Sequence, residues 1–375
     1  MSSGSVSVPR AIVSNYASGD GVVAPGSANP RMVTLLRESK SWSQADLAAA
    51  ADVTQGYISK VENGRVDLGG ERLQAVAEAL GCPAVVLTNH DPQQQPEVSC
   101  MFHRRRRSRM TAGAAKRVEA VSHLTRISVD ALTAGMDLAC DIERMDIDAY
   151  DGDPVRVAQM LRRRWRVPVG PIEDLHALMD RAGVVVVIRE FDTVAQDAFS
   201  TWPAGKAPVM VVRAGMSADR ERFSIAHELG HVLMHVLPGE DQEQQADAFA
   251  AEFLVPAAEI APQLAGLTTR DFSRLMELKV QWKISIAALI QRAKTLELIS
   301  DRQFREFRIK LSQLGWHTVE PVPIPHGRAR LLDSILAAHR RGDTIDAAGP
   351  GLALLTAETL LGSGDRTTYQ QREVS

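Results

Sequence analysis

The stretch RFSIAHELGHVLMH, residues 222–235, sets two histidines four positions apart among apolar residues at helical spacing. In an α-helix, four residues advance the chain by about 400°, so His227 and His231 leave the same face one turn apart. Two imidazoles in this arrangement can form one side of a zinc site. Glu228 lies about 100° around the helix from His227, close enough to reach a water at that site without being a ligand. The pattern predicts a packed helix with a candidate metal pair and a candidate general base.

The third ligand is expected from the next helix, because a catalytic zinc takes three protein ligands and keeps one position open. The sequence Leu-Pro-Gly at 237–239 turns the chain, so a helix from about residue 240 is expected to run antiparallel to the first. Glu243 falls in its first turn, roughly level with His231, and is predicted to be the third ligand. Asp247 lies one turn further on the same face, where its carboxylate can accept a hydrogen bond from a ligand imidazole.

Other residues near this site allow other interpretations. Glu243 can instead be a first-turn charge that suits the helix dipole, and Asp247 is then the substitute ligand. Glu252 stands nine residues beyond Glu243, about 180° away on the helix, and is excluded as a ligand. His235 continues the face of the other two histidines, and we expect it to pack or to cap the helix end rather than to bind metal.

Upstream, residues 41–87 read as a run of short helices, SWSQADLAAAADVTQGYISKVENGRVDLGGERLQAVAEALGCPAVVL. Ser43 and Thr54 are predicted to cap two of them, and Gly64 ends the second. Ile58 and Val61 are expected to point inward, which leaves short polar side chains on the outward face of the second helix. Such side chains suit base reading in a major groove, but an ordinary helical bundle with a solvated polar face fits the helix lengths equally well.

The string SQADLA…VTQ…IS…VENG…ALG resembles the XRE (Cro/CI repressor) helix-turn-helix family over residues 30–88. The resemblance implies a double-stranded DNA operator as partner, with Gln44 and Asn63 at phosphate-contacting positions. Because operators of this family are usually palindromic, a homodimer is also expected. The whole predicted DNA-binding set, including the base-reading positions on the second helix, is Gln44, Thr54, Gln55, Gly56, Ser59, Lys60 and Asn63.

The opening stretch, followed by EQQADAFAAEFLVP, resembles the core of the ImmA/IrrE metallo-endopeptidase family, and the likeness extends over about residues 150–320. The resemblance implies Zn²⁺ held by His227, His231 and Glu243. It also implies that Glu228 is the general base of peptide hydrolysis. The implied substrate is a repressor-like or toxin–antitoxin protein rather than proteins at large.

Composition and chain breakers divide the 375-residue sequence into predicted segments. The fold class is expected to be multidomain, with an all-α helix-turn-helix domain, then an α+β zincin-like metallopeptidase domain and a mostly helical C-terminal region. Within the second domain, the β-branched runs at 182–191 and 207–215 are expected to be strands. The predicted segments are a disordered leader (1–28), the helix-turn-helix domain (29–89), a linker and helical connector (90–149), the metallopeptidase domain (150–320) and a helical or partly disordered tail (321–375).

Net charge, the length of apolar runs and the cysteine count limit where the protein is expected to act and what it is expected to bind. The net charge of −3 excludes a chain coated in positive charge, so any DNA contact must come from a local patch. The apolar run at 183–188 is far too short to cross a bilayer, and three widely spaced cysteines fit reduced thiols, with Cys82 buried. We therefore expect a cytoplasmic protein with no membrane partner. The basic run at 103–109 is expected to be a solvated linker in preference to a phosphate contact.

The predicted function is a DNA-binding transcriptional regulator whose zinc metallopeptidase domain cleaves a repressor-like or antitoxin-like protein. The competing hypothesis is a non-catalytic regulator or antitoxin whose zincin-like domain senses a metal, a peptide or a small ligand. Glu228 favours the enzyme, because a sensor has no need of a general base.

Overall fold

The computed structural model describes residues 26–88, 111–136, 138–190, 196–235, 239, 241–317, 319–342 and 357. The predicted leader up to residue 25, the linker at 90–100 and the basic run at 103–109 lie outside the described residues. The same holds for Leu237 and Pro238 of the predicted turn and for most of the tail beyond residue 342.

Residues 26–88 fold into an all-helical N-terminal domain. Ser43 forms a capping box with Asp46, and the Thr54 side chain accepts a hydrogen bond from the Tyr57 N–H, so both predicted caps are confirmed. Gly64 follows the third helix with a φ of 65°, the left-handed conformation that glycine adopts without strain. The helices are α1 (Pro30–Ser39), α2 (Gln44–Ala50), α3 (Gln55–Glu62), α4 (Gly70–Leu80) and α5 (Ala84–Leu87).

The core of this domain contains the residues that the sequence pattern turns inward. Ile58 and Val61 are buried, as predicted, between α3 and the other helices. Cys82 is buried as well, and desolvation raises the pKa of its thiol to about 11. The thiol therefore stays protonated at neutral pH and acts as a small apolar side chain.

Helix α6 (Ala112–Thr133) belongs to two hydrophobic cores at once. Ala120 and Leu124 pack into the core of the N-terminal domain. Val129 and Leu132 pack into a second cluster, on the outer face of the sheet of the C-terminal domain. The connector between the two domains is thus a packed structural element that both of them share.

The connector is less helical than the sequence suggests. The expected helical stretch runs to about residue 148, but α6 ends at Thr133. Gly135 follows with a φ of 75°, a conformation that does not continue a right-handed helix. Residues 138–146 have neither helix nor strand and lead into a short 3₁₀ helix at Ile147–Tyr150.

Within the described residues, one mixed sheet has the strand order β1-β3-β2. The central strand β3 pairs in parallel with β1 and antiparallel with β2. Both predicted β-branched runs are strands, whereas β2 was not predicted, because its sequence AFST is short and has a single β-branched residue. The strands are β1 (Val185–Arg189), β2 (Ala198–Thr201) and β3 (Val209–Arg213).

The inner face of the sheet packs against a large helical core. No helix among the described residues is long and apolar enough to cross a membrane. The helices of this region are α7 (Pro154–Arg164), α8 (Leu175–Arg181), α9 (Ala218–Met234), α10 (Gln242–Leu254), α11 (Ala257–Leu264), α12 (Phe272–Trp282), α13 (Ile286–Thr295), α14 (Asp301–Gln313) and α15 (Leu331–Arg341).

The described part of the C-terminal region, residues 319–342, is bound to the second domain. Glu320 pairs with Lys279 at 2.8 Å and accepts two backbone N–H groups at the start of α13. Asp180 accepts the Arg330 N–H at 2.8 Å, just before α15 begins. Helix α15 then packs Leu336 and its apolar neighbours onto the same outer sheet face that α6 covers. This part of the predicted tail is therefore integral to the fold.

Because α6 packs into two cores, a substitution in it should affect the stability of both domains. Leu124→Ala removes a side chain that is 1% exposed and should lower the free energy of unfolding by about 2–5 kcal/mol. Because α6 also packs on the sheet, we expect the calorimetric transitions of both domains to fall together. Leu314→Ala, at a site 40% exposed, is the control and should change stability by less than about 0.5 kcal/mol. A decrease confined to the N-terminal domain would contradict a shared helix.

Candidate metal centre

Two buried histidines on α9 point their Nε2 atoms at each other. His227 and His231 are 2% and 1% exposed, and their Nε2 atoms lie 3.0 Å apart. The four-residue spacing places both rings on one helix face, as the sequence pattern predicts. That face is turned toward α10.

Helix α10 brings a carboxylate to the same point. Glu243 Oε1 lies 3.3 Å from His231 Nε2, and Glu243 Oε2 lies 3.9 Å from His227 Nε2. One ligand atom from each of the three residues lies within 4.8 Å of the other two, an arrangement that can hold a metal ion. Among the described residues, no other group of His, Cys, Asp and Glu side chains meets this criterion.

The close approach of α9 and α10 depends on Gly230, which stands between the two histidines of the cluster. A Cβ atom at Gly230 would lie 3.0 Å from Phe249 Cδ1 and 3.3 Å from Ala246 Cα. The absence of a side chain therefore lets the two helices approach closely enough for Glu243 to reach both imidazoles.

A carboxylate fixes the proton of the first histidine. His227 Nδ1 lies 2.8 Å from Asp247 Oδ1. An ionised carboxylate only accepts hydrogen bonds, so His227 donates from Nδ1 and presents a lone pair at Nε2. Asp247 therefore lies in hydrogen-bond contact with one of the candidate ligand imidazoles.

A longer hydrogen-bond chain orients the second histidine. His231 Nδ1 lies 2.8 Å from His235 Nδ1, and His235 Nε2 lies 2.8 Å from Gln245 Oε1. With the amide oxygen of Gln245 as the acceptor, His235 carries its proton on Nε2 and accepts the His231 Nδ1–H. His231 then presents a lone pair at Nε2, as His227 does.

The chemistry of this donor set fits a divalent cation. The two Nε2 lone pairs face each other at 3.0 Å beside a carboxylate, and such electron-rich atoms repel unless positive charge lies between them. Tetrahedral zinc with bonds of about 2.0–2.2 Å separates its ligand atoms by roughly 3.3 Å. The observed separations of 3.0, 3.3 and 3.9 Å surround that value.

Glu228 lies beside this cluster and is held by the sheet. Ser200 Oγ donates a hydrogen bond to Glu228 Oε2 at 2.9 Å, and both residues are buried. Ser200 belongs to β2, the strand that the sequence did not predict. The edge of the sheet therefore positions the candidate general base.

The remaining candidates have other partners. His235 lies outside the three-residue cluster, and its contact with His231 gives it an orienting place that the sequence reasoning missed. The four-residue spacing between His231 and His235 was the signal that could have predicted this contact. Glu252 points away from the cluster and forms a buried ion pair with Arg292, in keeping with its exclusion. The sequence reasoning also missed Gln245, because the only signal for it was its position two residues beyond Glu243.

The predicted DNA-binding residues are all exposed or half-buried. They occupy the start of α2, the whole length of α3 and the turn before it, where base-reading side chains of a helix-turn-helix are placed. Asn63 Nδ2 donates to the Ser59 carbonyl at 2.6 Å, which ties the end of α3 to its own last turn. The exposed members are Thr54, Gln55, Gly56, Lys60 and Asn63, and the half-buried ones are Gln44 and Ser59.

A buried ion pair supports two of these residues. The Arg37 guanidinium bonds both oxygens of Glu62, at 2.6 and 2.9 Å. Glu62 Oε2 accepts from Gln44 Nε2 at 2.8 Å, and Gln44 Oε1 accepts from Gln55 Nε2 at 2.9 Å. Two amides at the helix starts are therefore oriented by a charge pair that the sequence reasoning did not identify.

Comparison with known families agrees with this two-part arrangement. A helix-turn-helix family model matches residues 34–87, the region that contains α2 and α3. A peptidase family model, described as the IrrE N-terminal-like domain, matches residues 179–294, which include the sheet, α9 and α10. A search of curated proteins gave no match. Residues 34–87 thus form a helix-turn-helix DNA-binding domain, and residues 179–294 form a metallopeptidase-like domain of the ImmA/IrrE type.

Proposed function

We propose that the protein is a sequence-specific transcriptional regulator whose second domain is a zinc-dependent endopeptidase. The observation that carries the proposal is the convergence of His227, His231 and Glu243 on one point, with both Nε2 lone pairs turned toward it. In this proposal the three side chains are the Zn²⁺ ligands. Asp247 is the residue that orients His227.

The residues of this chain supply the acid–base chemistry of peptide hydrolysis. Zinc, when bound, contributes Lewis-acid polarisation of the scissile carbonyl and favours ionisation of water. Glu228 takes a proton from the attacking water and returns it to the leaving amine. The Ser200 hydroxyl fixes one oxygen of that carboxylate, and the buried setting strengthens the electrostatic interactions within the site.

The substrate class proposed is a repressor-like or antitoxin-like protein, and the partner of the first domain is a double-stranded DNA operator. Helix α6 supports a joint function, because it packs into the cores of both domains and holds them together. Directed proteolysis at a promoter would follow if the operator-bound chain cuts a regulator of the same promoter. A homodimer on a palindromic operator and a cytoplasmic location belong to the same proposal.

A second candidate function is regulation or toxin neutralisation without turnover, with the metal centre sensing a metal, a peptide or a small ligand. The shared helix α6 favours this second function, because a structural change at the sheet can reach the DNA-binding domain through one packed element. The two candidates differ in their need for Glu228.

Glu228→Gln separates these functions. We expect the variant to keep a stoichiometric zinc ion, since Glu228 lies outside the ligand cluster, and to lose peptide cleavage by about 10²–10⁴-fold. Metal content is measured by elemental analysis, and cleavage by immunoblot of regulators from neighbouring genes co-expressed with the protein. Glu277→Gln, at an exposed site on α12, is the control. Undiminished cleavage by Glu228→Gln would overturn the assignment, and no cleavage by the native chain would favour the sensor.

The orienting role of His235 is tested by metal affinity. His235→Ala removes the acceptor of the His231 Nδ1–H and should weaken zinc binding about 10–100-fold, as measured by competition with a chelating dye. His317→Ala changes an exposed histidine and should leave the affinity unchanged. Equal affinities for the His235 variant and the native protein would refute this role.

The DNA-reading face is tested by substitution of two α3 side chains. Gln55→Ala and Ser59→Ala should each cost about 1–3 kcal/mol in discrimination against altered operators, with little change in non-specific binding. Selection from a random DNA library, followed by titration of native and altered sites, measures both quantities. Gln74→Ala, at an exposed site on α4, is the matched control. An unchanged sequence preference for the two α3 variants would rule out α3 as the recognition helix.

A further inference from the structure

A cavity of about 450 Å³ opens beside the strand that positions Glu228. One wall is formed by residues 202–205, which directly follow β2, and the other by residues 142–144. Trp202 stands two positions after Ser200, so it lies on the same face of the strand, about 6.6 Å further along it. Trp202 packs against the same core as α9, whereas Phe199 faces the opposite cluster. The cavity is therefore the next space along the face that carries the Ser200–Glu228 contact.

The second wall is tied to the helix of the metal centre. The Met145 N–H donates to the Leu233 carbonyl at 2.8 Å, and Leu233 stands two positions after His231 on α9. Arg144 Nη2 donates to the Trp202 carbonyl at 2.6 Å. Residues 142–145 thus cross from the end of β2 to the C-terminal part of α9. A peptide bound at the metal centre and extending along β2 would reach this cavity within about two residues.

Arg144 lines this cavity, and one nitrogen of its guanidinium is an unused donor. Its guanidinium lies 5.0 Å from the centroid of the Trp202 ring, which fixes its plane. Its Nη1 atom is buried and has no hydrogen-bond partner within the described part of the chain. The neighbouring Glu143 is bonded to Arg164 at 2.6 Å, and no described carboxylate forms an ion pair with Arg144. A buried guanidinium N–H without a partner is unfavourable, and an incoming acceptor relieves that cost.

We propose that this cavity is a substrate subsite in which Arg144 binds a carboxylate of the peptide to be cut. The carboxylate belongs to an Asp or Glu side chain near the scissile bond or to the C-terminus of the substrate. A guanidinium fork matches a carboxylate in shape and charge, and the Trp202 ring offers an apolar surface to the methylene groups beside it. The volume is within the range of about 300–1,000 Å³ typical of ligand pockets. This inference rests on the proposed peptidase function and assigns that peptidase a preference for substrates with a carboxylate near the scissile bond.

The experiment uses the full-length, zinc-loaded protein and a synthetic peptide library, with cut sites mapped by mass spectrometry. We expect Asp and Glu to be enriched at one position near the cut, or cleavage to depend on a free C-terminus. Two library versions, with free and with amidated C-termini, separate these sources of the carboxylate. Arg144→Met should reduce the acidic preference about tenfold, the effect of losing one charged hydrogen bond. Arg144→Glu should shift the preference toward Lys and Arg.

Two further variants separate specificity from folding. Arg163→Met changes an exposed arginine on α7 and should leave the cleavage profile unchanged. Arg144→Gln keeps a polar N–H group at this position but lacks the charge, so it tests the ionic contact. Thermal unfolding of each variant identifies those that are destabilised. A profile that Arg144→Gln and Arg144→Glu leave unaltered would overturn the subsite.

A binding measurement distinguishes failure of the subsite from failure of the peptidase. Immobilised Glu228→Gln protein is exposed to the same two libraries, and the retained peptides are sequenced. Acidic peptides retained by this form, and lost after Arg144→Glu, support the subsite even when the native protein cuts nothing. In that case only the proposed turnover fails. Cleavage without an acidic or C-terminal preference, or retention of no peptide at all, refutes the subsite.

Discussion

Two imidazole nitrogens held 3.0 Å apart with their lone pairs turned toward each other form the contact on which the candidate metal centre depends. Such a contact is unfavourable by itself, and hydrogen bonds behind both rings hold it in place. Asp247 fixes one ring, and the chain through His235 to Gln245 fixes the other. All of these partners except His235 come from α10, so the site exists only because α9 and α10 pack closely at Gly230. Packing energy thus holds together three side chains that could bind a metal ion.

The edge strand β2 connects the proposed catalytic site to the proposed substrate subsite. Ser200 reaches Glu228 from this strand, and Trp202, two residues later on the same face, forms the wall that holds Arg144. A strand of four residues with the sequence AFST therefore sets both the position of the candidate base and the place of the proposed carboxylate subsite. The alternation of side chains along a strand explains the arrangement, because residues two apart face the same side.

Helix α6 gives the two domains a common mechanical element. One face of it, with Ala120 and Leu124, completes the N-terminal core, and another, with Val118, Val121, Val129 and Leu132, covers the outer face of the sheet together with α15. The inner face of that same sheet packs on α9. The sheet and α6 therefore connect the core that contains α9 to the core of the N-terminal domain, and packed elements transmit strain better than a solvated linker does.

The sequence by itself determined several helices and the residue types of the candidate site. Caps, helical spacing and turn residues specified α2, α3, α9 and α10. The four-residue spacing placed His227 and His231 on one helix face. These are local constraints, since hydrogen bonds and side-chain directions within one helix depend on near neighbours. Only the tertiary structure decided the contacts of Ser200, Gln245 and Arg144, and it alone showed that α6 is shared by two cores. Those contacts join residues far apart in the chain, and their distances depend on packing across elements, which local periodicity does not encode.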